Sequence, residues 1–231
     1  MDSSLIAKLL SNPLVESMAH FFGFQREYWR NREQTGSVKA SSPGLARAMV
    51  EPFWDGSCPQ HVLEVGSGTG AISARIFRRM QPSDKLTIVE INRNFLAMTR
   101  RKMVQSFGEQ AISGPVALIN ADFLHNQMPA DCFSRICCSL PFNNFAPQMI
   151  GEIFHEMLRV CQPGGIIVFY EYILLRRMRY WLSLGLRKDL KAIEGVLSGQ
   201  IQQYGIEHIP IFTNIPPAMV YVLRKPKVQL H

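Results

Sequence analysis

Val62-Leu63-Glu64-Val65-Gly66-Ser67-Gly68-Thr69-Gly70-Ala71 is the stretch that decides the fold. A run of β character enters three glycines at alternate positions, and helix-forming residues follow from Ala71. A strand that becomes a helix within so few residues must turn sharply, which glycine permits because it has no Cβ. The same lack lets a ligand approach the backbone. The spacing is GxGxG rather than the dinucleotide fingerprint GxGxxG, although Ala71 stands where that fingerprint sometimes accepts alanine.

Outward from this turn, short β-type runs alternate with helical segments, the signature of parallel βαβ units. Strands are read at His61–Val65, Leu86–Ile91, Val116–Asn120, Phe133–Ser139, Gly165–Tyr172, His208–Phe212 and Met219–Leu223. Thr213-Asn214-Ile215-Pro216-Pro217 is too short for a crossover helix, so the last two strands are expected to pair antiparallel. Upstream, residues 3–33 read as two helical pieces divided at Ser11-Asn12-Pro13, with Phe21, Phe22, Phe24, Tyr28 and Trp29 among Arg26, Arg30 and Arg32. Ser42-Pro43 opens another capped helix, which runs through Leu45, Met49 and Val50 and stops near Pro52. The expected organisation is a helical extension over residues 1–52 and an α/β domain over 53–231.

The 231 residues are 47% hydrophobic and 19% charged, enough for one sizeable core. No apolar run approaches the ~18 residues that would cross a bilayer, and Met1-Asp2-Ser3-Ser4 lacks the basic start of a secretory signal. Five cysteines without a CxxC pair suit a reducing compartment, so a cytoplasmic location is expected. The six histidines never fall at i, i+4, so no metal site is expected. The net charge of +7 favours an anionic partner. From Tyr172 to Lys191 the chain carries Arg176, Arg177, Arg179, Arg187, Lys188 and Lys191 among Leu174, Leu175, Tyr180, Trp181 and Leu182. Mixed basic, aliphatic and aromatic groups suit an anionic membrane surface and peripheral association with it. Nucleic acid is the other polyanion this charge would serve, although base-stacking motifs are not evident.

Two further strand ends carry acids. Glu90 stands twenty residues beyond Gly70, where a carboxylate can accept from both hydroxyls of a ribose. In Asn120-Ala121-Asp122-Phe123, Asp122 could accept from an adenine amino group while Phe123 or Ala121 lines the ring pocket. At the fourth strand end, Ser139-Leu140-Pro141-Phe142-Asn143-Asn144-Phe145 forms a proline turn. Carbonyls of such a turn can orient an acceptor N–H. Phe142 either packs against the acceptor or sulfonium or closes the sheet edge.

With these motifs, residues 61–224 resemble a class I S-adenosylmethionine-dependent methyltransferase. The resemblance implies an α/β, Rossmann-like, seven-stranded, mostly parallel sheet in the order 3-2-1-4-5-7-6, with an N-terminal helical extension. It implies S-adenosyl-L-methionine as cofactor, with Gly66, Gly68 and Gly70 near its amino-acid moiety, Glu90 on its ribose and Asp122 at its adenine. Glu64, Ser67, Ile91, Ala121, Phe123 and Ser139 are the adjoining candidate contacts.

Ser139-Leu140-Pro141-Phe142 is similar to the Asn-Leu-Pro-Tyr turn of ribosomal RNA adenine dimethyltransferases, with Ser and Phe replacing Asn and Tyr. The bacterial soluble phospholipid N-methyltransferases and their ornithine-lipid relatives resemble the chain more broadly. That resemblance rests on Phe22 with Trp29, Ser41-Ser42 with Leu45-Ala46-Arg47-Ala48-Met49, the glycine turn, Ser139-Leu140-Pro141 with Asn144-Phe145, and Leu158-Arg159-Val160 with Pro163-Gly164-Gly165. It implies N-methylation of phosphatidylethanolamine, its methylated forms or ornithine lipid. Ser139, Leu140, Pro141, Phe142 and Asn144 would lie at the reacting centre, with Tyr28 covering it and Glu171 a further candidate. RNA adenine methylation and cofactor binding without catalysis remain the alternatives.

Overall fold

The computed structural model describes residues 41–54, 59–142, 145–173, 187–214 and 216–227, with the backbone alone for 187–190. The helices expected at 3–33, with Tyr28, the basic segment 174–186, and Asn144 lie outside the described residues.

Helix α1 (Pro43–Val50) begins as its sequence requires: the Ser42 side chain accepts from the Leu45 amide at 3.2 Å, and Pro43 occupies the first turn. A 3-10 turn at Glu51–Phe53 ends it. The chain then alternates: β1 (His61–Val65), α2 (Ala71–Arg79), β2 (Lys85–Val89), α3 (Arg93–Phe107), α4 (Glu109–Ile112), β3 (Val116–Ile119), a 3-10 turn (Phe123–His125), β4 (Phe133–Cys138), α5 (Pro147–Val160), β5 (Cys161–Tyr172), α6 (Arg187–Tyr204), β6 (Gly205–Ile211) and β7 (Ala218–Arg224).

These strands form one sheet in the order β3-β2-β1-β4-β5-β7-β6. β1 to β5 are parallel, and β7 is antiparallel to both β5 and β6. The short turn before β7 produces that reversal. Alternation along the strands supplies two cores. One face carries Val62, Ile88, Cys137, Val168 and Val220 and packs with Leu45 and Met49 of α1, Ile72 and Ile76 of α2, and Met103 of α3. The other carries Leu63, Val65, Ile136, Cys138, Ile167 and Phe169 and packs with Ile150, Phe154 and Met157 of α5 and Ile193 and Leu197 of α6.

Most expected strands begin or end within a residue or two of the observed ones. β5 and β6 depart further. Gln162-Pro163-Gly164-Gly165 reads as a turn, yet β5 starts at Cys161, which pairs with Phe133. Pairing resumes at Arg135↔Ile166 after a bulge in which Gly164 has φ +79°. A Cβ on Gly165 would lie 2.6 Å from the Cys161 sulfur, so the bulge needs glycine there. β6 begins at Gly205, directly after α6 and three residues before its expected start.

Arg135 is the buried base of the sheet. Its Nε donates to the Phe53 carbonyl at 2.8 Å and one guanidinium nitrogen to the Ser134 carbonyl at 2.8 Å, which ties the turn after α1 to β4. Phe142, Phe154 and Phe169 form an aromatic cluster with ring centroids 5.2–5.5 Å apart. Phe154 is fully buried at its centre. Phe154→Ala is expected to destabilise the protein by about 3–5 kcal/mol, measured as a lowered urea midpoint. A loss below 1 kcal/mol would show that the cluster collapses onto the cavity.

Candidate functional site: the crevice at the glycine turn

The carboxyl edge of the parallel strands is where open α/β sheets bind ligands, and the glycine turn lies on it. Gly66, Gly68 and Gly70 have φ of +78°, +52° and +74°. Their surroundings differ. A Cβ on Gly66 would meet Leu140 Cδ2 at 2.8 Å, and one on Gly70 would meet the Thr99 Cα at 2.9 Å, whereas one on Gly68 would meet nothing within 4 Å. Gly66 and Gly70 are thus held by close packing, and Gly68 faces open space.

Glu90, 4% exposed at the end of β2, holds the turn. One carboxylate oxygen accepts from the Gly68 amide at 3.1 Å and the other from the Asn92 amide at 2.9 Å. Asn92 in turn caps α3, accepting from the Asn94 and Phe95 amides. Burial raises the Glu90 pKa, and hydrogen bonds from the Asn92 and Gly68 amides offset part of that. Thr99 of α3 donates to Ser67 Oγ at 3.0 Å or to the Gly68 carbonyl at 3.2 Å. The Asn120 side-chain amide donates to the Glu90 and Ile91 carbonyls, at 2.8 and 3.0 Å.

Glu64 is fully buried in β1. No hydrogen bond of ordinary geometry reaches either of its carboxylate oxygens among the described residues. Its pKa is raised from 4.5 to about 7, chiefly by desolvation and further by the Glu90 charge, while the neighbouring Ser73 opposes part of the shift. An acid in this state suits a cationic ligand group.

The remaining candidates divide. Phe123 is buried, and Ala121 is half-buried beside it in the second core. Asp122 caps the 3-10 turn, accepting from the Leu124 amide at 3.0 Å, and its other oxygen lies 3.1 Å from His125 Nδ1. The Ser139 amide donates to the Val65 carbonyl at 2.9 Å, and Leu140 covers Gly66, so the proline turn and the glycine turn are in contact. Phe142 is 1% exposed between Phe154 and Phe169. It closes the sheet end and does not line the crevice. No group of three or more His, Cys, Asp or Glu among the described residues could hold a metal ion.

Nothing local in the sequence marks Thr99 as a helical hydroxyl that touches the glycine turn. Asn92 had a legible signal, a capping residue before a helix.

An open Gly68, an isolated Glu64 and a carboxylate at Glu90 fit S-adenosylmethionine. Gly68 leaves space for it, Glu64 offers a negative charge to its ammonium, and each Glu90 oxygen keeps acceptor capacity for ribose hydroxyls.

Gly70→Ala is expected to lower the melting temperature strongly, because the left-handed backbone cost of about 1–2 kcal/mol adds to a backbone clash. Gly68→Ala should incur only the first cost yet weaken S-adenosylhomocysteine binding in calorimetry. Equal effects of the two on melting would contradict this division of roles. For Glu64, the raised folded pKa means the native state holds the proton more tightly than the unfolded chain, so stability falls as pH rises from about 4.5 to about 7. The full shift corresponds to on the order of 3 kcal/mol. Glu64→Gln should therefore melt like the wild type at pH 4.5 and above it at pH 8 in the absence of ligand. A gap independent of pH would exclude this titration.

Residues 62–165 match a family model described as a methyltransferase domain. The ubiquinone/menaquinone biosynthesis C-methyltransferase UbiE of Pseudomonas paraeruginosa is 27% identical over 111 residues, which are 48% of this chain and 41% of that protein. The chain thus spans about two fifths of that relative's length. An ornithine lipid N-methyltransferase of Singulisphaera acidiphila is 24% identical over 149 residues, 64% of this chain and 76% of that one. Among solved structures, the N-methyltransferase NodS from Bradyrhizobium japonicum superposes with TM-score 0.57 at 13% identity, covering 88% of this chain and 99% of that one. Another structure of NodS, in complex with S-adenosyl-L-homocysteine, superposes with TM-score 0.52 at 13% identity and covers 95% and 91% of the two chains. The comparisons thus support a methyltransferase domain over residues 62–165 and S-adenosylmethionine as its cofactor.

Proposed function

We propose that the chain transfers a methyl group from S-adenosylmethionine to the amine headgroup of a membrane lipid: phosphatidylethanolamine, its methylated forms or ornithine lipid. The observation that carries this reading is the contact between the two turns, with Ser139 bonded to Val65 and Leu140 over Gly66. It sets the Ser-Leu-Pro backbone beside the glycine turn, where this reading puts the methyl donor. Carbonyls at such a turn accept from an amine N–H and so aim the nitrogen. The cofactor supplies an activated methyl on sulfur; Ser139, Leu140 and Pro141 supply alignment. The match to an ornithine lipid N-methyltransferase, which reaches well beyond the methyltransferase core, supports a lipid amine. So does the basic and aromatic sequence between Tyr172 and Lys191, which suits an anionic bilayer surface. No helix among the described residues is long and apolar enough to cross a membrane.

C-methylation is the second reading, favoured by the similarity to the UbiE methyltransferase, which matches about as closely over a shorter span.

The test is label transfer from methyl-labelled S-adenosylmethionine in parallel incubations. The acceptors are vesicles of phosphatidylglycerol alone or with phosphatidylethanolamine, ornithine lipid or a demethylated quinone precursor, and RNA without vesicles. Label is expected in the amine lipids. Label confined to the quinone precursor would establish the second reading, and label confined to RNA would overturn both.

A further inference from the structure

We propose that Glu171 is the carboxylate that receives the acceptor's amine and takes its proton. The proposal deepens the amine-headgroup reading above and rests on it.

Val65, Cys138, Phe169 and Tyr221 are successive partners across β1, β4, β5 and β7. Their side chains belong to the face covered by α5 and α6, where Phe169 touches Phe142, Phe154 and Tyr221. Strand side chains alternate, so Glu171 faces the same side, one step nearer the carboxyl edge. Its cross-strand partner on β7 is Met219. On its other flank β4 has already ended at Cys138, and continuing the count from Cys138↔Phe169 brings Leu140 to the level of Glu171. Leu140 is the residue that covers Gly66. The glycine turn, the Ser-Leu-Pro turn and Glu171 therefore follow one another across β1, β4 and β5. Two strand spacings, about 10 Å, separate the first from the last.

The other buried acids among the described residues lie elsewhere in the sheet. Asp84 accepts from the Gln60 and Gln81 amides at the opposite edge of the sheet, and Glu64 and Glu90 belong to the cofactor crevice. Glu171, 5% exposed, stands across the proline turn from the glycine turn. A carboxylate sheltered to that degree attracts a dehydrated cation far more strongly than one in water. A lipid amine arrives as an ammonium, which has no lone pair. In a dehydrated ion pair one proton can pass from nitrogen to carboxylate, because burial disfavours both charged forms. The freed nitrogen pair then forms the N–C bond, while the pair of the breaking C–S bond stays on sulfur as a neutral thioether. The methylated ammonium leaves, and Glu171 releases its proton to solvent.

The experiment compares wild type with Glu171→Gln by three measurements: S-adenosylhomocysteine affinity, calorimetric affinity for short-chain phosphatidylethanolamine in the presence of S-adenosylhomocysteine, and methyl transfer to phosphatidylethanolamine vesicles. Cofactor affinity is expected to stay within about twofold, because Glu171 is not a cofactor contact. Headgroup affinity should fall at least about 10-fold, and kcat/KM about 100-fold. Unchanged headgroup affinity and kcat/KM in the variant would overturn the role of Glu171 while leaving the lipid reading intact. A wild type that methylates no amine lipid would overturn that reading and this role together, without reference to the variant. Should Glu171→Gln fail to fold, Glu171→Asp keeps the charge but withdraws it by one methylene. With cofactor binding intact, its kcat/KM should fall more than about 10-fold. An Asp variant as active as wild type would count against the role.

Discussion

Two backbone amides converge on one carboxylate: Gly68 and Asn92 both donate to Glu90. That interaction locks three elements whose sequences are far apart. Gly68 lies in the turn between β1 and α2, Glu90 follows β2, and Asn92 is the cap from which α3 grows. Thr99, on the second turn of α3, then returns to Ser67 or Gly68 and closes the loop of contacts. Because the donors are amides fixed by the sheet and the helix cap, the carboxylate cannot rotate freely. Its remaining lone pairs keep a set direction. The turn and the Glu90 carboxylate are therefore one preorganised unit, and a ligand meeting it need not order either part.

Leu140 links this unit to the Ser-Leu-Pro turn. It lies over the one face of Gly66 that a side chain would need, and Ser139 is bonded to the carbonyl of the preceding residue, Val65. Below the turn, Phe142 stacks between Phe154 and Phe169 and anchors its far end in the second core. The proline turn is thus pinned at both ends, by the sheet edge on one side and the aromatic cluster on the other. Packing in the core and alignment in the crevice are two consequences of the same few residues.

The framework was legible because it depends on local chemistry. Alternating apolar residues placed the strands, Gly66-Ser67-Gly68-Thr69-Gly70 marked the turn, Ser42-Pro43 marked the start of α1, and the short link before Ala218 gave the antiparallel pair. The sheet order came from the family resemblance, since no strand states its neighbours. What stayed hidden depends on contacts made only after folding. Gln162-Pro163-Gly164-Gly165 has turn composition, but Phe133 offers Cys161 a partner and the strand begins there. Phe142 could have faced either way, and Phe154 and Phe169, distant in sequence, decide that it points inward. Asp122 was read for its free carboxylate, whereas both oxygens also serve the chain's own turn, through Leu124 and His125.

Charge placement runs opposite to the charge of the whole. The chain is +7 overall, yet its buried charged groups at the carboxyl edge, among the described residues, are the acids Glu64, Glu90 and Glu171. Arg135, the buried base, sits within β4 and is committed to the Phe53 and Ser134 carbonyls. Glu64 and Glu90 are close enough that the charge of one raises the pKa of the other. Like charges brought together out of water are costly unless something positive relieves them. S-adenosylmethionine carries two such groups, a sulfonium and an ammonium, and the amine acceptor proposed above would bring a third. After transfer the sulfonium has become a neutral thioether, so the product has lost part of the attraction that held the substrate. With the cofactor in this crevice, the same buried acids would attract the charged methyl donor more strongly than the spent product.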